Sequence, residues 1–230
     1  VDTIIVGQAC GTSALAAVGS TGNLTSLIVN FYVGLSTGAS VVIAQYYGAQ
    51  NDKKIHQAVH TSYILAIVSG ILMMLFGLFF SYQCLDAIGT PHDILNDATL
   101  YMQLYFLCMI PGAIYNIGAG ILRAVGDSKR PLYYLIVCSI VNVVFDFIFV
   151  VIFHQGIAGA AIATVIAQFV CAILVTIQLM RTKEVYKLTL SQMKFHLPVL
   201  KKIIMIGAPA GIQSTMYSIS NIVLQSHINA

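Results

Sequence analysis

The sequence predicts an all-α integral membrane protein, a polytopic helix bundle with six membrane spans preceded by a partial first helix. Three observations lead there. Hydrophobic residues make up 58% of the 230-residue chain and charged residues 8%, against roughly 25% charged residues in soluble domains, and the mean hydropathy is +0.87. Apolar runs of spanning length recur along the chain. The segments between them alternate between basic and base-free.

Val1–Gly7 reads as the end of one helix. Spans are then expected at Leu24–Tyr47, Thr61–Tyr82, Ala98–Leu122, Leu132–Phe153, Ile157–Met180 and Ile203–Ile228. At 1.5 Å per residue, runs of this length extend roughly 33 to 39 Å, enough for the ~30 Å hydrocarbon core with some tilt. Pro111 beside Gly112 is expected to kink or open the third span, and Pro209 the last, because proline removes a backbone donor. The abrupt opening VDTIIVG and the polar close NIVLQSHINA suggest a piece of a longer protein.

The connecting segments set the topology. Lys53 and Lys54 follow the first span, Arg123, Lys129 and Arg130 the third, and Arg181, Lys183, Lys187, Lys194, Lys201 and Lys202 the fifth. The intervening loops carry Asp86, Asp93 and Asp97, or only His154-Gln155-Gly156. All eleven Lys and Arg therefore fall on one side, which the positive-inside rule assigns to the cytoplasm of a cell (inner) membrane. The net charge of +3 is explained by topology, so nucleic acid is not expected as a partner. Arg181–Lys202 reads as a cytoplasmic linker, with apolar residues interspersed that suit a membrane surface.

Asp146 is the only charged residue between Pro131 and His154. Burying a carboxylate in a bilayer is costly unless it is protonated, paired or coordinating a cation, so it marks a candidate site. Ser139, Asn142 and Asp146 share one helical face and suggest the wall of a wet cavity. Asp146 lies eight residues before His154 and Thr164 eight after Gly156, which puts both about 12 Å below that turn. Carboxylate, amide and hydroxyl at one depth suit a hard cation or a shuttled proton. Asp2, near the outer end of the first stub, could face the same cavity.

Other motifs have structural explanations. Gly34-Leu35-Ser36-Thr37-Gly38 matches the G-x-S-x-G elbow of serine hydrolases but lies inside a span, where Gly34 and Gly38 form a G-x-x-x-G packing face. His56 and His60 have the i, i+4 spacing of zinc ligands without the glutamate of H-E-x-x-H, and are expected as a solvated or interfacial pair. The five cysteines show no metal or disulfide spacing and are expected to pack within helices.

VDTIIVGQACGTSALAAVGSTG, GLSTGASVVIAQYYGAQN, ILRAVGDSKRP, NVVFD and GIAGAAIAT together resemble the multidrug and toxic compound extrusion (MATE) family of cation-coupled exporters. The resemblance covers essentially the whole chain. It implies one lobe of a two-lobe, twelve-helix transporter: residues 1–180 as the first lobe, truncated at its first helix, 181–202 as the inter-lobe linker, and 203–230 opening the second lobe. It maps the first-lobe cation site onto Asp2, Asn142, Asp146 and Thr164, with Na⁺ or H⁺ as the coupling ion and no other cofactor. Some members place a glutamate in the helix opening the second lobe; GAPAGIQSTMYSISNIVLQ has none.

The implied function is secondary active antiport, with H⁺ or Na⁺ entry driving export of amphipathic, cationic organic compounds by a monomeric full-length protein embedded in the lipid bilayer. It is not expected to be an enzyme. A lipid-linked oligosaccharide flippase of the same superfamily is the alternative; its anionic substrate would favour basic residues along the cavity, and the spans hold none before Arg123. An intramembrane hydrolase would need an active Ser36 or an intramembrane histidine, and no such dyad stands out.

Overall fold

The computed structural model describes residues 12–87 and 89–228, so Asp2 and the expected Val1–Gly7 stub lie outside the described residues. Seven α-helices, and no strand, occur among the described residues. In chain order they are α1 (Thr12–Gly48), α2 (Asp52–Ala87), α3 (His92–Phe106), α4 (Met109–Ala124), α5 (Lys129–Asp146), α6 (Gly156–Arg181) and α7 (Leu197–Ile228). A π-helix, Phe147–Ile152, continues α5, and a single 3-10 turn, Leu190–Gln192, precedes α7.

Three of these units, α2, α5 with its π extension, and α6, are each long and apolar enough to cross a membrane. The pair α3 and α4 passes the same test as one span bent by 44°. With 37 and 32 residues, α1 and α7 exceed the ~20 residues a crossing needs. Leu72, Phe79, Ile140, Val144 and Ile173 are exposed, as expected of side chains that meet lipid rather than water. The chain is a polytopic all-α membrane protein.

Three details depart from the sequence reading. The first span is continuous with a helix that starts at Thr12, twelve residues before Leu24, because Ala14, Ala16 and Ala17 favour helix strongly enough to absorb Gly19 and Gly22. The break in the third span lies at Leu107–Cys108, one turn ahead of Pro111. Proline supplies no N–H to the Leu107 carbonyl, and the chain crosses the gap with tighter bonds, Leu107 N–H to Leu104 O at 3.1 Å and Cys108 N–H to Tyr105 O at 2.9 Å. Pro209, by contrast, does not open its helix: α7 runs uninterrupted through it.

Helix ends close in a repeated way. After α2, Thr90 N–H reaches Leu85 O and Gly89 N–H reaches Asp86 O; after α4, Asp127 N–H reaches Leu122 O and Gly126 N–H reaches Arg123 O. Gly89 and Gly126 have φ of 77° and 91°, the left-handed position of a Schellman cap. After α1 the same pair of bonds, Asn51 N–H to Tyr46 O and Gln50 N–H to Tyr47 O, places Gln50 at φ 52°. A side chain occupies a position that glycine fills without strain.

The chain divides into two compact units. One comprises Val1–Asn23, Ile67–Tyr115 and Lys129–Val175; the other Leu24–Ala66, Asn116–Ser128 and Thr176–Ala230. Within the second, Gly34 and Gly38 of α1 meet Gly207 and Gly211 of α7: a Cβ on Gly38 would stand 2.7 Å from the Gly207 Cα, and one on Gly34 would overlap the Gly211 backbone. The expected G-x-x-x-G face is thus real, and its partner is another G-x-x-x-G, Gly207 to Gly211. Ser36, in the same turn as Gly34, donates to the Asn116 carbonyl at 2.6 Å, a packing role that leaves no hydrolase chemistry to account for.

Of the pair expected to be solvated or interfacial, His56 is half-buried and His60 is buried, at 1% exposure. The segment after α6 folds over it. Its Nδ1 pairs with the His56 carbonyl at 2.7 Å, and its Nε2 lies 3.1 Å from both the backbone nitrogen and the carbonyl oxygen of Thr189. His196 N–H donates to Thr61 Oγ1 at 3.2 Å, so two bonds tie 189–196 to the start of α2.

Candidate ion-coupling site

The site is built on the contact between α5 and the part of α6 up to Val175, both within the first unit. Small residues on α6, Ala160, Ala161, Ala163 and Ala167, are buried and let the helices approach closely. A ladder of polar contacts follows the antiparallel pair. Cys171 Sγ–H donates to the Tyr134 carbonyl at 3.3 Å, and Cys138 Sγ–H donates to the Ala167 carbonyl at 3.2 Å. The next rung is Asn142, whose Nδ2–H donates to Thr164 Oγ1 at 3.3 Å. Above it, Val150 packs with Ala160, Ala161 and Tyr101 of α3.

Residues 134, 138 and 142 of α5, and residue 150 of the π-helix that continues it, therefore all face α6. Asp146 falls between the last two, one turn beyond Asn142, and is fully buried at 0% exposure. Following the ladder, its level on α6 lies between Thr164 and Ala160. Thr164 Oγ1 donates its own proton to the Ala160 carbonyl at 3.1 Å, which leaves the hydroxyl oxygen to receive Asn142. The structure puts Thr164 in direct contact with Asn142 rather than level with Asp146, as counting from the His154–Gly156 turn has it, and Ser139, expected on the same face as Asn142 and Asp146, is exposed.

The α-helix ends at Asp146 itself. From Phe147 to Ile152 the backbone is π-helical, a form that is rare and concentrated at functional sites. Phe153 N–H reaches back to Ile148 O at 2.9 Å, and Gln155 N–H to Phe149 O at 2.9 Å. His154 and Gly156 then reverse the chain at φ 52° and 58°. Gly159 fits against Phe149, where a Cβ would stand 3.0 Å from the Phe149 Cβ. Phe145, Phe149 and Phe153 stack along the opening turn, with centroids 5.6 and 6.1 Å apart. Nothing in FIFVVI signals this change of helix type; only the unusual position of the acid draws attention to it.

Pro111 belongs to the same unit. It stands in the first turn of α4, beside the bend, and four residues later Tyr115 Oη–H donates to the Pro131 carbonyl at 3.0 Å, fixing α4 to the start of α5. Pro209 lies in the other unit.

The profile of the MatE family matches residues 1–148. The chain belongs to the MatE family. Over its full length it is 29% identical to the probable multidrug resistance protein YoeA of Bacillus subtilis and 25% identical to the probable multidrug resistance protein YpnP of the same organism. It spans 51% of each of those relatives. A crystal structure of MATE in the bent conformation superposes over 98% of this chain and 50% of its own, with a TM-score of 0.91 and 27% identity. Inward-facing and outward-facing structures of a MATE transporter of the MOP superfamily match with TM-scores of 0.88 and 0.91, at 27% and 26% identity. They cover 95% and 98% of this chain and 50% of their own. MatE proteins are transporters rather than enzymes, in keeping with the packing role of Ser36.

Proposed function

We propose that this chain supplies the ion-coupling part of a secondary active multidrug exporter, in which H⁺ or Na⁺ entering at Asp146 drives efflux of amphipathic organic cations. The observation that supports it most is the placement of Asp146: fully buried, one turn from the Asn142–Thr164 contact and at the edge of a π segment. The multidrug names of its relatives support drug efflux as the kind of transport. Lys53, Lys54, Arg123, Lys129, Arg130 and the bases from Arg181 to Lys202 then face the cytoplasm of the cell membrane, and the His154–Gly156 turn faces outward.

Asp146 and the Asn142 amide oxygen are hard ligands, suited to Na⁺, and a proton competes for the same carboxylate. Binding changes the charge held inside the membrane. The ion biases the protein between conformations only by its differential affinity for them, and Asp2 and Thr164 are the further oxygen donors this reading assigns. Substrate efflux measured in vesicles, with Na⁺ and H⁺ gradients imposed separately, tests it. Asp146→Asn should abolish gradient-driven efflux while the protein still inserts. Undiminished efflux by that variant would refute the assignment.

A further inference from the structure

The second unit holds a feature that transport through Asp146 does not use. A cavity of about 550 Å³ opens where the first two turns of α2 meet the segment that follows α6. Lys53, His56 and Gln57 line one side; Ser191, Gln192, Lys194 and His196 line the other. Two ammonium groups, two imidazoles, two amides and a hydroxyl converge there, and no acidic side chain is among the described lining residues. We propose that this cavity binds a phosphate-bearing anion, carried by a soluble phosphorylated molecule or by the headgroup of an acidic lipid.

Several observations point the same way. The volume lies within the ~300 to 1,000 Å³ of small-molecule sites, larger than an inorganic ion needs and suited to a phosphate with part of its carrier. The donors are of the kinds that hold phosphate oxygens, through charge-assisted hydrogen bonds. The two rims are also fixed before any ligand arrives. His60 lies under His56, ring centroids 4.0 Å apart, and is held to Thr189 at 3.1 Å, while His196 is held to Thr61 at 3.2 Å. A preorganised cation-lined cavity loses little ordering entropy on binding.

The imidazoles give the site a pH signature. Burial, then the neighbouring His60, holds His56 below its ordinary 6.5, with Gln192 opposing and His196 adding to the depression. The groups facing it are Lys53 on its own helix, His60 beneath, and Lys194 and His196 from the opposite rim. All are basic. A bound phosphate would reverse the balance and draw protons onto His56, so affinity should rise as pH falls.

The test uses the purified protein, with pyrophosphate as the soluble probe and nanodiscs of phosphatidylcholine with or without phosphatidic acid as the lipid probe. Calorimetric titration should show saturable binding that tightens from pH 8 to pH 6. Lys53 and Lys194 are exposed, so Lys53→Ala/Lys194→Ala should fold normally and weaken binding at least tenfold. Pyrophosphate binding alone identifies a soluble ligand. Retention of phosphatidic acid alone, read by native mass spectrometry, identifies a headgroup. Absence of binding to both probes, or binding that the double variant leaves unchanged, overturns the proposal.

Discussion

Replacing Gly34 and Gly211 by alanine, one at a time, should push stability in opposite directions although both glycines lie in one helix crossing. In either helix, alanine gains about 1 kcal/mol over glycine from propensity alone. At Gly211 the new Cβ finds ordinary contacts: 3.7 Å to the Phe31 carbonyl oxygen, 3.8 Å to the Gly34 and Phe31 Cα atoms. The gain is kept. At Gly34 the Cβ overlaps the Gly211 backbone and stands 3.0 Å from the Gly207 carbonyl oxygen. Neither neighbour is a side chain that can rotate away, so α1 and α7 must part by on the order of 1 Å to restore contact near 3.5–4.0 Å. Overpacking of this kind costs about 1–3 kcal/mol. After the propensity gain, Gly34→Ala should be destabilised by up to roughly 2 kcal/mol and Gly211→Ala stabilised by up to about 1 kcal/mol. For a chain this long the two apparent melting temperatures should differ by up to roughly 10 °C. Thermal unfolding of the purified protein, followed by circular dichroism, measures both. If Gly34→Ala melts at or above the parent, or if Gly211→Ala falls as far as Gly34→Ala, the backbone-contact reasoning is wrong.

Three further outcomes follow from the geometry. Gln50→Gly relieves a left-handed residue at the α1 cap and should raise stability by about 0.5–1 kcal/mol, read as a higher melting temperature. Thr164→Val removes the acceptor of Asn142 within the membrane and should cost about 1 kcal/mol; Thr164→Ser should recover it, and failure of serine to do so would show that the hydroxyl is not what Asn142 needs. His56 has a folded pKa below its ordinary 6.5, so the unfolded chain takes up its proton first. The stability it contributes is intact above pH 6.5 and declines as pH falls from there toward the folded pKa. Hydrogen exchange in residues 189–196, corrected for intrinsic rates, should quicken over that range, and His56→Gln should flatten the dependence.

How much could be read from the sequence depended on whether a feature is periodic. The apolar spans and the Gly34–Gly38 face follow from counting 1.5 Å and 100° per residue, and the structure has both; the same counting sets Thr164 level with Asp146, whereas its contact is with Asn142, one turn away. The start of α1 at Thr12 was missed because Gly19 and Gly22 read as loop while the alanines beside them carry the helix. The burial of His60, expected with His56 as a solvated or interfacial pair, is not legible because its cover, the Arg181–Leu197 segment, is irregular and has no period to read. Gly207 and Gly211 were hidden by Pro209 between them, which drew the eye as a breaker although the helix runs through it. The π segment had no sequence signal, since FIFVVI suits either kind of helix.

That π segment also bears on how the protein could change in length. A one-residue deletion in an ordinary stretch of α5 turns everything on one side by about 100° relative to the other and would swing Asp146 or the His154–Gly156 turn off its face. Between Phe147 and Ile152 the backbone already holds a residue in excess of α-helical need. Losing one there returns the helix to α register and leaves Asn142 and Asp146 below it, and the His154 turn above it, pointing as they do now. This helix can therefore be shortened at the end that carries the His154 turn, where membranes of different thickness would ask for it, without disturbing the acid it carries.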